Sequence, residues 1–142
     1  MRLFGHPLHV MLIHFPVALW PAHAALHFFA GVLPPAVSAV AGFWLLATGV
    51  GLGWLAALCG AADLLALDGD KDPGKFNAAL LHALLNGSTL VGFTVLLALE
   101  FPRYPAIAHG RGFLFVEAAL LVLLFVGNYF GGAVVWRKPP PA

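Results

Sequence analysis

Charge is what this 142-residue chain has least of. Only 9% of its residues are Asp, Glu, Lys or Arg, against roughly 25% in soluble globular domains. The net charge of +1 gives no basic surface, so a nucleic-acid partner is not expected. The single cysteine, Cys59, excludes an internal disulfide. No phosphate-binding glycine loop, no nucleophile elbow and no serine triad can be found, which leaves nucleotide chemistry and conventional hydrolysis without support. No catalytic residue is assigned, and whether the protein is an enzyme stays open.

What is present is apolar. Hydrophobic residues make up 61% of the chain, and the mean hydropathy is +0.93. Four segments reach the length of about 20 residues that a bilayer demands of a helix. Their bounds are read as 7–30, 36–67, 73–101 and 112–136. Pro7 suits a first helical position, Gly31 and Pro34-Pro35 close the first span, and Asp72-Pro73 reads as an N-cap with proline behind it. Pro16 should kink the first helix. Arg2 before an apolar run, with Ala22-His23-Ala24 after it, imitates a signal peptide; the run is longer than a signal core and rich in histidine, so it is read as a permanent span. The expected fold is all-α: one integral membrane four-helix bundle, with both termini on the same side.

The connecting segments assign sides. Arg2, Lys71, Lys75, Arg137 and Lys138 fall with the termini, and only Arg103 and Arg111 fall opposite. The positive-inside rule then makes the terminal side cytoplasmic. Lipid is the expected partner, with a redox protein, other membrane subunits or a second copy of the chain as further expectations.

Against this apolar background stand seven histidines, five of them within the first 27 residues: His6, His9, His14, His23 and His27. Ionisable groups inside a bilayer are costly and mark functional sites, and imidazole ligates both metals and haem. At about 100° per residue, His9, His23 and His27 share one face of helix 1 with Trp20, whereas His14 points away unless the kink turns it. Asp63 shares a face with Gly60, Ala56 and Gly49. His82, Asn86 and Thr89 form a stripe, and Glu117 and Asn128 lie on nearly one face.

Connectivity sorts these groups by depth. His6, His9, Asp63, His82, Asn86, Asn128 and His14 fall toward the terminal side. His23, His27 and Glu117 fall toward the other, with His109 in the adjoining loop. Two polar clusters, one per leaflet, follow.

The terminal-side cluster reads as the better cofactor site. His6, His9, Asp63 and His82 offer nitrogen and oxygen donors that suit zinc, iron or copper; interfacial capping is the plainer reading. A b-type haem would take His82 and either His9 or His14 as axial ligands, with Asp63 and Asn86 orienting them. The small residues Gly49, Gly53, Ala57 and Ala61, with Gly127 and Gly131, mean close helix packing or room for a flat macrocycle. His23, His27 and Glu117 read as a buried hydrogen-bond network, a proton relay or a second metal site. Asp68-Gly69-Asp70-Lys71-Asp72 imitates the start of a calcium loop, but Ala79 stands where the bidentate Glu is needed. Cys59 reads as a small buried hydrophobe.

Gly5-His6-Pro7-Leu8-His9, then Phe15-Pro16, Asp63, His82 with Asn86, and Gly131-Gly132 resemble the bacterial membrane family called domain of unknown function 2231. Val10 departs from it, standing where that family often has a second proline. The resemblance implies a four-helix membrane fold and brings no established activity. Some members look fused to Rieske-type iron–sulfur domains, which implies membrane electron transfer. The leading expectation is therefore a haem- or metal-binding protein passing electrons to a redox partner. Its rivals are a non-haem metal-handling site, a proton or ion conduit, and a structural subunit of a larger complex.

Overall fold

The computed structural model describes residues 2–3, 6–29, 32–105 and 111–136. Four helices account for nearly all of it: α1, Leu8–Phe28; α2, Pro35–Leu65; α3, Pro73–Glu100; and α4, Arg111–Trp136. All four are long and apolar enough to cross a membrane, which bears out the all-α membrane bundle. Arg2–Leu3 pairs with His6–Pro7 in a two-residue antiparallel ladder before α1.

Proline sets the helix starts. Pro35 and Pro73 occupy first-turn positions of α2 and α3, where the missing N–H is not needed. Asp72 caps α3 by accepting from the Lys75 backbone N–H at 2.9 Å, one of the orphan donors every helix start leaves. In the loop before it, Asp68 pairs with Lys71 at 2.9 Å. That ion pair holds the Asp68 carboxyl below its ordinary range. Pro16 and Pro21 both lie inside α1, where a missing N–H leaves the carbonyl four residues earlier without its helical donor. At 31 residues, α2 is roughly 46 Å long by a rise of 1.5 Å per residue. That exceeds about 30 Å of hydrocarbon, so α2 must tilt or emerge.

Successive helices run antiparallel. His9 meets Ala56 while His23 meets Gly42, and His82 meets Gly127 while Glu100 lies with Glu117. Helices α1 and α3 are therefore parallel, and one offset of 73 residues relates His9 to His82, Trp20 to Phe93 and His27 to Glu100.

The middle of the bundle is apolar. Trp20, Leu46, Val50, Leu90, Phe93, Leu96, Leu120 and Leu124 form its buried core. Trp20 stacks on Phe93 with ring centroids 4.4 Å apart and planes inclined by 18°. The indole lies on glycine: a Cβ on Gly49 would stand 2.6 Å from Trp20 Nε1. The outer surface is apolar too, with Leu58, Phe115 and Val122 exposed, as lipid contact requires.

Candidate metal centre

Polar groups collect at both ends of this core, and the two collections differ in kind. The end at which α1 finishes and α4 begins holds acids. His23 and His27 are one turn apart on α1, Glu100 is the last residue of α3, and Glu117 lies in the second turn of α4. His23 and Glu117 are 0% exposed and Glu100 is 1% exposed. One ligand atom from each of the four falls within 4.8 Å of the other three, and among the described residues no other set of three or more His, Cys, Asp or Glu does this.

Hydrogen bonding fixes the roles of the His23 ring. Its Nδ1 lies 2.9 Å from the Gly42 carbonyl oxygen. A carbonyl only accepts, so Nδ1 carries a proton and donates it. In the neutral ring Nε2 is then the lone-pair atom, and it lies 3.2 Å from Glu117 Oε1 and 3.8 Å from Glu100 Oε1. A nitrogen lone pair facing two carboxylates requires positive charge among them, whether proton or metal ion. His27 Nδ1 donates to Glu117 Oε1 at 2.8 Å. Glu117 Oε2 is buried with no hydrogen-bond partner among the described residues. The two rings meet edge to face, centroids 4.2 Å apart.

The set suits a cation. An imidazole that gives one N–H to a backbone carbonyl and aims the other nitrogen at the site is the arrangement found around protein metals. Two neutral imidazoles and two carboxylates make a charge of −2, which a divalent ion cancels.

The opposite end is built from imidazole and amide. His9 Nδ1 donates to the Ala56 carbonyl and His82 Nδ1 approaches the Gly127 carbonyl, each at 2.8 Å. Their ring centroids are 5.9 Å apart. Asn86 Nδ2 reaches Asn128 Oδ1 at 3.3 Å and lies 2.9 Å from His82 Nδ1. Asp63 is half-buried on α2 and does not join His9 and His82 in a ligand group. His6 lies outside the residues whose side chains are described, and His109 outside the described residues altogether. His14 is exposed on the outer face of α1, so an axial role beside His82 would require α1 to rotate.

The small residues admit rings of a different kind from a macrocycle. A Cβ on Gly60 would meet His9 Cε1 at 2.7 Å, one on Gly127 would meet Asn86 Oδ1 at 2.8 Å, and one on Gly131 would meet His82 Nδ1 at 2.6 Å. Each notch is filled by a side chain of the bundle itself. These residues do not fit a haem between the helices without repacking, and close packing is the reading the structure supports. Among the described residues, carboxylates and imidazoles converge within ligand distance at the other end of the bundle.

Glu100 is the residue that sequence reasoning missed. It stands before Phe101-Pro102 and passes for the frayed end of a span. It is also 18 residues after His82, five full turns at 3.6 residues each, and so continues the His82–Asn86–Thr89 stripe.

Residues 5–139 match the sequence model of the family described as "Predicted membrane protein (DUF2231)". The chain belongs to that family. It matches no curated protein and no solved structure. The family's description adds a membrane to the fold and names no chemistry, so the site stands on its own geometry.

Proposed function

We propose that this DUF2231 protein is a membrane metal-binding protein that holds one divalent first-row ion at His23, His27, Glu100 and Glu117. The observation that carries this reading is His23: its Nδ1 proton is committed to Gly42, and its Nε2 faces two buried carboxylates. Two nitrogens and two oxygens favour zinc, which takes four such ligands tetrahedrally, or ferrous iron. Copper(I) is disfavoured because no sulfur donor stands among the four. The concentration of Lys and Arg on the terminal side supports a reading with the termini in the cytoplasm of a bacterial cell and the metal centre toward the outer face of the inner membrane.

A second reading has its own observation. The His27–Glu117 hydrogen bond at 2.8 Å supports a reading in which a proton takes the place of the metal. In this reading the cluster stores or relays protons. Haem and electron transfer would need space at the His9–His82 end that the residues of the bundle already fill.

Elemental analysis of protein purified from membranes separates the two. The metal reading expects about one ion per chain, lost in Glu117→Gln and in His23→Ala. Metal-free protein that cannot be loaded with zinc or ferrous iron supports the proton reading.

A further inference from the structure

His14 is misplaced for a monomer. It lies six residues into α1, roughly 9 Å along the helix at 1.5 Å per residue, yet its side chain is exposed. It has no hydrogen-bond partner among the described residues, and it stands more than one helical turn inside an apolar span. Ionisable residues in spans almost always face protein or a water-filled cavity. Something polar should therefore cover His14.

The surrounding surface narrows the choice. Met11 and Phe15 are exposed apolar neighbours, and Ala18 and Ala22, one and two turns further along the same face, are exposed and small. Alanines four apart let two helix backbones approach closely in lipid. Within this stripe His14 is the only polar side chain, so a partner needs to supply a single hydrogen-bonding group at one depth. Copies of a membrane protein share one orientation, and a two-fold axis along the bilayer normal brings each residue to its own equivalent at equal depth. Neutral imidazole is one donor and one acceptor, hence complementary to itself. Two-fold dimers are also the commonest oligomers.

We infer that the outer face of α1 is a homodimer seam, with His14 hydrogen-bonded to His14 of a second copy and Ala18 and Ala22 at the close approach. The seam is independent of the ion at the other end of α1. A competing seat exists at the same depth. The outward face of α3 carries a groove of about 450 Å³ lined by Ala83, Leu84, Gly87, Ser88 and Val91, and the 73-residue offset puts Gly87 level with His14. Docking there would make a head-to-tail contact in place of a symmetric one.

Cysteine cross-linking of the full chain in lipid nanodiscs decides, in a Cys59→Ala background. The seam predicts that His14→Cys alone shifts most of the chain to a disulfide dimer under mild oxidation. Ala18→Cys should do the same, should His14→Cys misfold. Phe125→Cys, exposed on α4, should stay monomeric. His14→Ala should weaken dimerisation about threefold to thirtyfold, the range for one interhelical hydrogen bond in a bilayer. The inference is overturned if neither α1 cysteine self-links, if Phe125→Cys links equally well, or if His14→Cys links only to Ser88→Cys.

Discussion

Glu117 Oε1 lies 2.8 Å from His27 Nδ1 and 3.2 Å from His23 Nε2, so one carboxylate oxygen joins two imidazoles that stand a helical turn apart. The i and i+4 spacing on α1 makes this possible, because side chains four apart lie one above the other. The carboxylate comes from a helix 90 residues further along the chain, so the site exists only when the bundle is closed. The proposed metal binding is therefore linked to bundle stability.

The first prediction follows from that linkage. An ion that binds the folded bundle alone stabilises it by about 2.7 kcal/mol at a hundredfold excess over its Kd. Thermal unfolding of the detergent-solubilised protein should move upward with zinc. Glu117→Gln should abolish the shift, whereas His82→Ala, at the other end of the bundle, should keep it.

Acid should weaken the metal. Imidazole and carboxylate ligands bind a cation only when deprotonated, so affinity falls as pH falls and each bound ion displaces protons. Zinc titrations at successively lower pH should give steadily weaker Kd values, with proton release visible as a dependence of the calorimetric heat on buffer. A pH-independent Kd would mean that zinc is bound elsewhere.

The Trp20–Gly49 contact should not tolerate a side chain. With the indole held against Phe93, a Cβ 2.6 Å from Nε1 has no room to be accommodated. Gly49→Val should destabilise the bundle by about 1–3 kcal/mol, the usual cost of overpacking. It should also change the Trp emission spectrum. Gly51→Ala is the control, since no atom beyond its own stretch of α2 lies within 4 Å of its added Cβ.

Loss of the α3 cap should be milder. Asp72→Ala removes the 2.9 Å bond to the Lys75 N–H and should cost about 1 kcal/mol, measured by denaturant unfolding in micelles. Asp72→Asn, which keeps an accepting oxygen, should restore most of it.

The fold is legible because lipid enforces simple patterns. Four apolar runs, the prolines at 35 and 73 and the Asp72 cap give the helices to within two residues of the observed bounds, with α2 ending at Leu65 where sequence suggested 67. Helical phase and depth put His23, His27 and Glu117 at one end of the bundle. What phase cannot show is the destination of a ring nitrogen. His9, His23 and His82 all direct Nδ1 at carbonyls of neighbouring helices, and their backbone partners Ala56, Gly42 and Gly127 carry no polar side chain to signal it. Glu100 escaped because a charged residue beside Pro102 resembles the end of a span. The glycines announce close packing by their spacing, and the structure adds which side chains fill the notches: His9, Asn86 and His82.

The most direct test of the metal centre is X-ray absorption at the zinc edge on purified, zinc-loaded protein. The account predicts about one zinc per chain in a shell of four nitrogen and oxygen ligands at about 2.0–2.2 Å, with the multiple-scattering signature of two imidazoles that falls to one in His27→Ala. A sulfur scatterer, an unchanged shell in that variant, or failure to retain zinc at all would contradict it.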